Sequence, residues 1–331
     1  MRRALIGLAL SAVAIFLAMK NLRGEDISAL FALPVRIWPV LGSGALISLG
    51  VILRGFRWKL LLPPDDPVPR RLLSGATAIL YLVNNILPAR AGEVVRLLLV
   101  RKHCRSTVPT LLMSVVVERA LDGLTLSLSV LASIVLLDIS PTMTARAQSF
   151  GVILGILLLG ILLLEVFTKR NPETTTRWIA RVSGWAPGSM AGRIEAILCG
   201  VVDGMNLFTS PARFGAVVGL STAVWACTGA GFWILLLNYT GPTPSVLLGP
   251  IVTGAVAFAA SVPAAPGYLG VFQLAVKEAL QAVGSEPLVA LHYSMLLWAV
   301  NWTSNNLLGL YYAWTLDIDW GQMRQTELKS Q

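Results

Sequence analysis

The stretch NNILPARAGEVVRLLLVRK, residues 84–102, sets two asparagines, a proline, a glycine and the charged trio Arg90, Glu93 and Arg96 inside an apolar run. Proline and glycine end one helix and start another, so the 72–100 segment reads as two short arms folded back at Pro88, with Gly92 beside the break. A second interruption, VPAAPGYLG at 262–270, divides the 245–284 segment in the same way at Pro263, Pro266, Gly267 and Gly270. An arm of roughly 15 residues rises only about 22 Å, too short to cross ~30 Å of hydrocarbon, so each segment is expected to be a re-entrant helical hairpin.

The surroundings of these breaks fix the class. Of 331 residues, 55 % are hydrophobic and 13 % charged, and the mean hydropathy is +0.72. Apolar segments at about 4–19, 38–62, 108–137, 148–168, 213–238 and 287–315 add some six full crossings, which gives an all-α polytopic membrane protein. The net charge of +9 does not read as a nucleic-acid surface, because the basic residues flank apolar segments and form no aromatic-interleaved patch. Three cysteines without short spacing and two histidines suggest neither a disulfide framework nor a His/Cys metal site, and no metal or cofactor is expected. The start, MRRALIGLALSAVAIFLAMK, has the features of a signal peptide, but its apolar run continues to Met19 and it is expected to stay as a first helix.

Pro88, Ala89 and Gly92 align with Pro263, Ala264 and Gly267, an offset of 175 residues that also carries the segment near Trp38 onto the one near Arg213. The chain reads as a single integral membrane domain over 1–331, duplicated as halves of about 1–147 and 148–316, with a short polar tail at 317–331. An odd number of crossings per half makes the halves an inverted repeat. With both termini in the cytoplasm, most of the 26 basic residues lie on the inner side, Arg54 and Arg57 among them. Lys20, Arg23, Arg36, Arg146 and Lys277 then lie outside, and Arg90, Arg96 and Arg119 remain in the membrane. Within the second half, after its first helix, about 190–208 repeats Ile194, Ile197, Leu198, Val201 and Val202 at helical spacing, as a cytoplasmic interfacial helix would.

Ionisable residues inside a membrane point to function. On the first hairpin, Asn84 and Asn85 precede the turn and Arg90, Glu93 and Arg96 follow it, at a helix N-terminus whose free N–H groups favour an anion. Two roles are open: an anion pocket, or mutual neutralisation of Arg90 and Glu93. On the 108–137 helix, Glu118 and Asp122 share a face at i and i+4 while Arg119 points aside. They serve as counter-charges to the arginines, or one of them carries a proton. In the second break the 175 offset sets Ala265, Tyr268 and Val271 opposite Arg90, Glu93 and Arg96, so one half holds the charge; Gln273 is a candidate hydrogen-bonder there. Lys277 and Glu278 read as a solvated pair, Asn301 and Asn305 as an interhelical polar pair, and Trp38, Trp58, Trp314 and Trp320 as interface anchors. No phosphate-binding G-x-x-x-x-G-K-[ST] loop, G-x-S-x-G or H-E-x-x-H occurs, so no catalytic motif is recognised.

NNILPARAGEVVRLLLVRK, followed by VVVERALDGL and by VPAAPGYLGVFQLAVKEAL, resembles the lysylphosphatidylglycerol synthase transmembrane-region family, also described as flippase-like. The resemblance implies a bacterial inner-membrane protein that moves or binds an anionic phospholipid or a polyprenyl- or hopanoid-type lipid. It carries over Asn85, Pro88, Arg90, Gly92, Glu93, Arg96, Glu118, Arg119, Asp122, Pro266, Gly267 and Gly270. The aminoacyltransferase domain of two-part members is not among these residues, so lysyl transfer by this polypeptide is not expected. The alternatives are a non-transporting partner of a lipid-biosynthesis enzyme and an intramembrane lipid-modifying enzyme using Glu118 or Asp122.

Overall fold

The computed structural model describes residues 2–20, 30, 32–33, 35–87, 91–138, 152, 156, 159–160, 163–185, 189–204, 210–239, 244–262 and 265–316. Over these residues it is helical, without a strand. In chain order the helices are α1 (Arg2–Met19), α2 (Ile37–Leu61), α3 (Arg70–Ile86), α4 (Gly92–Arg101), α5 (Val108–Leu136), α6 (Pro172–Ser183), α7 (Ser189–Gly204), α8 (Pro211–Leu236), α9 (Leu248–Ser261), α10 (Val271–Gln281) and α11 (Pro287–Thr315). A 3₁₀ turn, Pro266–Tyr268, lies between α9 and α10.

Prolines punctuate these elements. A residue before proline is pushed out of the helical region, and Leu62, Leu87, Val262 and Ala265, each preceding a proline, all have ψ between 136° and 159°. Two helix starts are capped by hydroxyls: Thr107 Oγ1 accepts from the Thr110 amide and Ser210 Oγ from the Arg213 amide. Arg213 in turn donates to the Leu60 and Leu62 carbonyls, closing the C-terminal end of α2.

Both expected hairpins are present, α3 against α4 and α9 against α10. Three helices, α2, α5 and α8, are long and apolar enough to cross a membrane among the described residues. α2 and α8 run antiparallel along their whole length. The Arg36 amide donates to Asn238 Oδ1 at one end, Gly50 meets Val224 and Thr228 midway, and Arg213 reaches Leu60 at the other end. Hairpin α3–α4 follows the end of α2 and hairpin α9–α10 follows the end of α8, so the hairpins enter from opposite ends of the bundle.

The packing repeats with the halves exchanged. α3 lies on α11 as α9 lies on α5, α2 on α3 as α8 on α9, and α2 on α11 as α8 on α5. With α2 and α8 antiparallel, this is an inverted repeat. The offset, however, is not uniform. Leu61 and Ile86 correspond to Leu236 and Ser261, 175 residues on, whereas Gly92, Val108 and Leu136 correspond to Val271, Pro287 and Thr315, 179 on. The second break is four residues longer because it accommodates the 3₁₀ turn. Beyond the breaks, therefore, the expected pairing of Tyr268 with Glu93 and Val271 with Arg96 is corrected: Glu93 corresponds to Phe272 and Arg96 to Ala275.

Further expectations change. Lys277 is not a solvated residue; it is 2 % exposed and donates to the Ala18 carbonyl at 2.8 Å, holding the C-terminal end of α1. Ser11 on α1 accepts from the Ala265 amide, so α1 is strapped to the second hairpin. A helix is present where the interfacial one was expected, α7, ending at Gly204, and its Gly200 abuts Pro109 at the start of α5; it follows a further helix, α6, that was not anticipated. Pro88, Arg90, Pro263, Trp320 and the 205–208 end of that expected helix lie outside the described residues.

Candidate functional site

The charged residues of α4 and α5 converge with two arginines of α2 that the sequence had assigned to the inner surface. Arg54 and Arg57 are buried, and the reason is their spacing: at i and i+3 they share one face of α2, the face that meets α5 and α8. Both bind Asp122, Arg54 Nη1 to Oδ2 at 2.8 Å and Arg57 Nη1 to Oδ1 at 2.5 Å, and Trp225 Nε1 donates to the same Oδ1 at 3.0 Å. Glu118 receives Arg96 at 3.3 Å on both oxygens and Arg57 at 3.4 Å. Arg119 does not point aside; it pairs with Glu93 at 3.1 Å, Glu118 at 3.8 Å and Asp122 at 3.9 Å. Among the described residues the cluster thus joins four guanidiniums to three carboxylates.

Aromatic rings support two of the cations. The Arg96 guanidinium lies 4.3 Å from the Trp58 ring and that of Arg54 4.7 Å from Trp225. Trp58 is fully buried and donates to Ser114 at 2.9 Å, so it is a cluster support and not an interface anchor. Charges in so apolar a setting persist only when paired, and here each carboxylate has at least two cationic neighbours.

Beside the cluster, where the two hairpin tips meet, lies a cavity of about 370 Å³. Asn84, Asn85 and Glu93 line it from the first hairpin, and Ser261, Gly267 and Tyr268 from the second. Its remaining walls show the repeat directly. α5 contributes Arg119, Asp122, Gly123 and Leu126, and α11 contributes the four positions 179 residues on, Trp298, Asn301, Trp302 and Asn305. One wall is charged and its counterpart is aromatic and amide-bearing. Arg54 completes the charged side.

The expected site residues therefore divide. Asn84, Asn85, Glu93, Arg119 and Asp122 reach the cavity. Arg96 and Glu118 lie behind it, almost wholly enclosed and paired to each other. The N-terminus of α4 is already engaged, because the Gly92 amide donates to Asn84 Oδ1 at 2.9 Å. Gln273 is a helix cap, its Oε1 accepting from the Gly270 amide at 2.7 Å, and it does not line the cavity. Arg54, Trp225, Trp298 and Trp302 were missed; the i, i+3 arginines of RGFRWK and the i, i+4 tryptophans of WAVNW are the sequence signals for Arg54, Trp298 and Trp302, and Trp225 has none. No group of three or more His, Cys, Asp or Glu side chains able to hold a metal occurs among the described residues.

Residues 4–309 match the family described as Lysylphosphatidylglycerol synthase TM region. The chain belongs to this family. It is accordingly an integral membrane protein of the lysylphosphatidylglycerol synthase TM type, and α2, α5 and α8 have the length and apolar composition to cross a membrane. No curated protein and no solved structure matches the chain.

Proposed function

We propose that the protein is an inner-membrane lipid translocase that takes a phosphate-bearing lipid headgroup into the cavity between the hairpin tips while the acyl chains stay in the bilayer. The observation that carries this reading is the cavity itself: a largely apolar chamber with one charged wall, at the meeting point of two hairpins that enter from opposite ends of an inverted repeat. Such repeats expose a central site alternately to the two faces by rocking one half against the other. Arg119 is the cation placed to receive the phosphate. Its side chain is 47 % exposed, whereas those of Arg57 and Arg96 are enclosed and committed to Asp122 and Glu118. A phosphate arriving at Arg119 competes with Glu93 for it, and Glu93 belongs to the first hairpin, so binding is coupled to movement of that hairpin.

Neither Glu118 nor Asp122 is free to act as a proton carrier in this arrangement, since each is held by two other arginines besides Arg119; this favours binding and movement over chemistry. In the orientation with both termini cytoplasmic, α1 and α11 also cross, and α6 and α7 lie at the inner surface. Native mass spectrometry of the purified protein tests the reading. Wild type should retain a discrete anionic phospholipid that Arg119→Gln loses, and equal retention by both forms in bulk-membrane proportions would remove the pocket assignment.

A further inference from the structure

The two cavity walls occupy equivalent positions of the repeat yet have different chemistry, and only the charged one is used by a phosphate. On α11, Trp298 and Trp302 are stacked, with ring centroids 6.1 Å apart and an interplanar angle of 26°. Trp298 is fixed by its Nε1, which donates to the Gly267 carbonyl at 2.8 Å. That carbonyl is presented by a tip held in an uncommon conformation, with φ of 69° at Gly267 and 58° at Tyr268. Backbone strain of this kind gathers at ligand clamps. One turn along, Asn305 is 6 % exposed and donates to Asn301 Oδ1 at 3.2 Å, while its own Oδ1 has no partner.

We infer that this wall is a subsite for a hydroxylated ring, glycosyl or inositol-like, carried on the same headgroup whose phosphate lies at Arg119; the inference rests on the headgroup reading above. An amide pair joined by one hydrogen bond leaves one end of each amide outside that bond, an acceptor on one and a donor on the other, whichever way the two amides are turned. A hydroxyl meets either end because it both donates and accepts, whereas an ammonium only donates and a phosphate only accepts. The four α11 positions carry no charge, which suits the neutral part of a headgroup, and the flat indole pair offers a face on which a ring can lie. The cavity, about 370 Å³, falls within the roughly 300–1,000 Å³ of small-ligand sites and has room for a phosphate with one ring.

The test is a lipid competition read by native mass spectrometry. Protein purified in a sugar-free detergent is offered equal amounts of dioleoyl phosphatidylinositol, phosphatidic acid and phosphatidylethanolamine. Wild type should retain phosphatidylinositol about tenfold over phosphatidic acid, the factor carried by one well-made hydrogen bond. Trp302→Leu and Asn305→Leu should bring that ratio close to one through loss of phosphatidylinositol, and Arg119→Gln should weaken all three lipids. Trp302 is partly exposed, so its variant serves even where the Asn305 variant fails to fold. Equal retention of phosphatidylinositol and phosphatidic acid, with dependence on Arg119 intact, overturns the ring subsite and leaves the phosphate reading standing. Preference for phosphatidylethanolamine overturns it in favour of an amine. Retention of all three lipids that is indifferent to Arg119 overturns both readings.

Discussion

Replacing Glu118 by glutamine removes one charge from the centre of the buried network, and the structure says which cation is then stranded. Arg57 keeps Asp122 at 2.5 Å. Arg96 keeps only Glu93 at 3.7 Å, and Arg119 already engages that carboxylate at 3.1 Å. An enclosed guanidinium left without its main partner costs about 3–5 kcal/mol, a large share of the ~5–15 kcal/mol that holds a typical fold together. Arg96→Met in the Glu118→Gln background should recover much of this loss, because it removes the stranded charge and sets a thioether against Trp58. The assay is thermal unfolding in detergent followed by tryptophan fluorescence, with the four proteins arranged as a double-mutant cycle. A coupling of about 3 kcal/mol is expected. If Glu118→Gln melts with the wild type, or if the two single losses simply add, the pairing argument is refuted.

Other consequences can be measured separately. A Cβ on Gly92 would lie 2.2 Å from the Leu80 carbonyl oxygen and 2.7 Å from Asn84 Oδ1, so Gly92→Val should spread the first hairpin, destabilise by about 1–3 kcal/mol and abolish lipid retention; melting and native mass spectrometry check both parts. At Gly270, φ is 88° and a Cβ would meet the Ser11 carbonyl at 2.4 Å, so Gly270→Ala should loosen α1, seen as faster amide exchange over α1 with exchange in α2 and α8 unchanged. Burial pushes the Cys104 thiol up from its ordinary pKa, aided by the nearby Asp66 carboxylate. Its thiolate is therefore scarce at neutral pH and increases as pH rises, so maleimide labelling of Cys104 should lag behind that of exposed Cys199 and gain on it in alkali. If both termini are cytoplasmic, a membrane-impermeant maleimide labels Cys199 in inside-out vesicles and not in intact cells.

The breaks were legible because proline acts locally: Leu87 and Val262 are extended for the reason their sequence gives, that a proline follows. Glu118 and Asp122 were legible from their i, i+4 spacing. Arg54 and Arg57 were not, because a basic residue near the end of an apolar segment looks the same whether it faces water or a carboxylate on another helix. Only the packing of α2 on α5 and α8 decides between the two. Lys277 hid for the same reason, its partner being a carbonyl 259 residues away. The four extra residues of the second break were masked by the shared Pro-Ala motif, which aligns the start of each break and says nothing of its length. The pairing of Arg119 and Asp122 with Trp298 and Asn301 follows only once that length is known.

If the lipid headgroup passes through the cavity between the hairpin tips, filling that cavity stops transport. Ala260 lines that cavity from α9, so Ala260→Trp should fill it. The decisive measurement is translocation of a short-chain fluorescent anionic phospholipid in proteoliposomes, read by dithionite quenching. Wild type should expose the inner-leaflet probe and Ala260→Trp, equally well folded, should not. Equal rates for the two proteins, or a wild-type rate no greater than that of empty vesicles, would contradict the account.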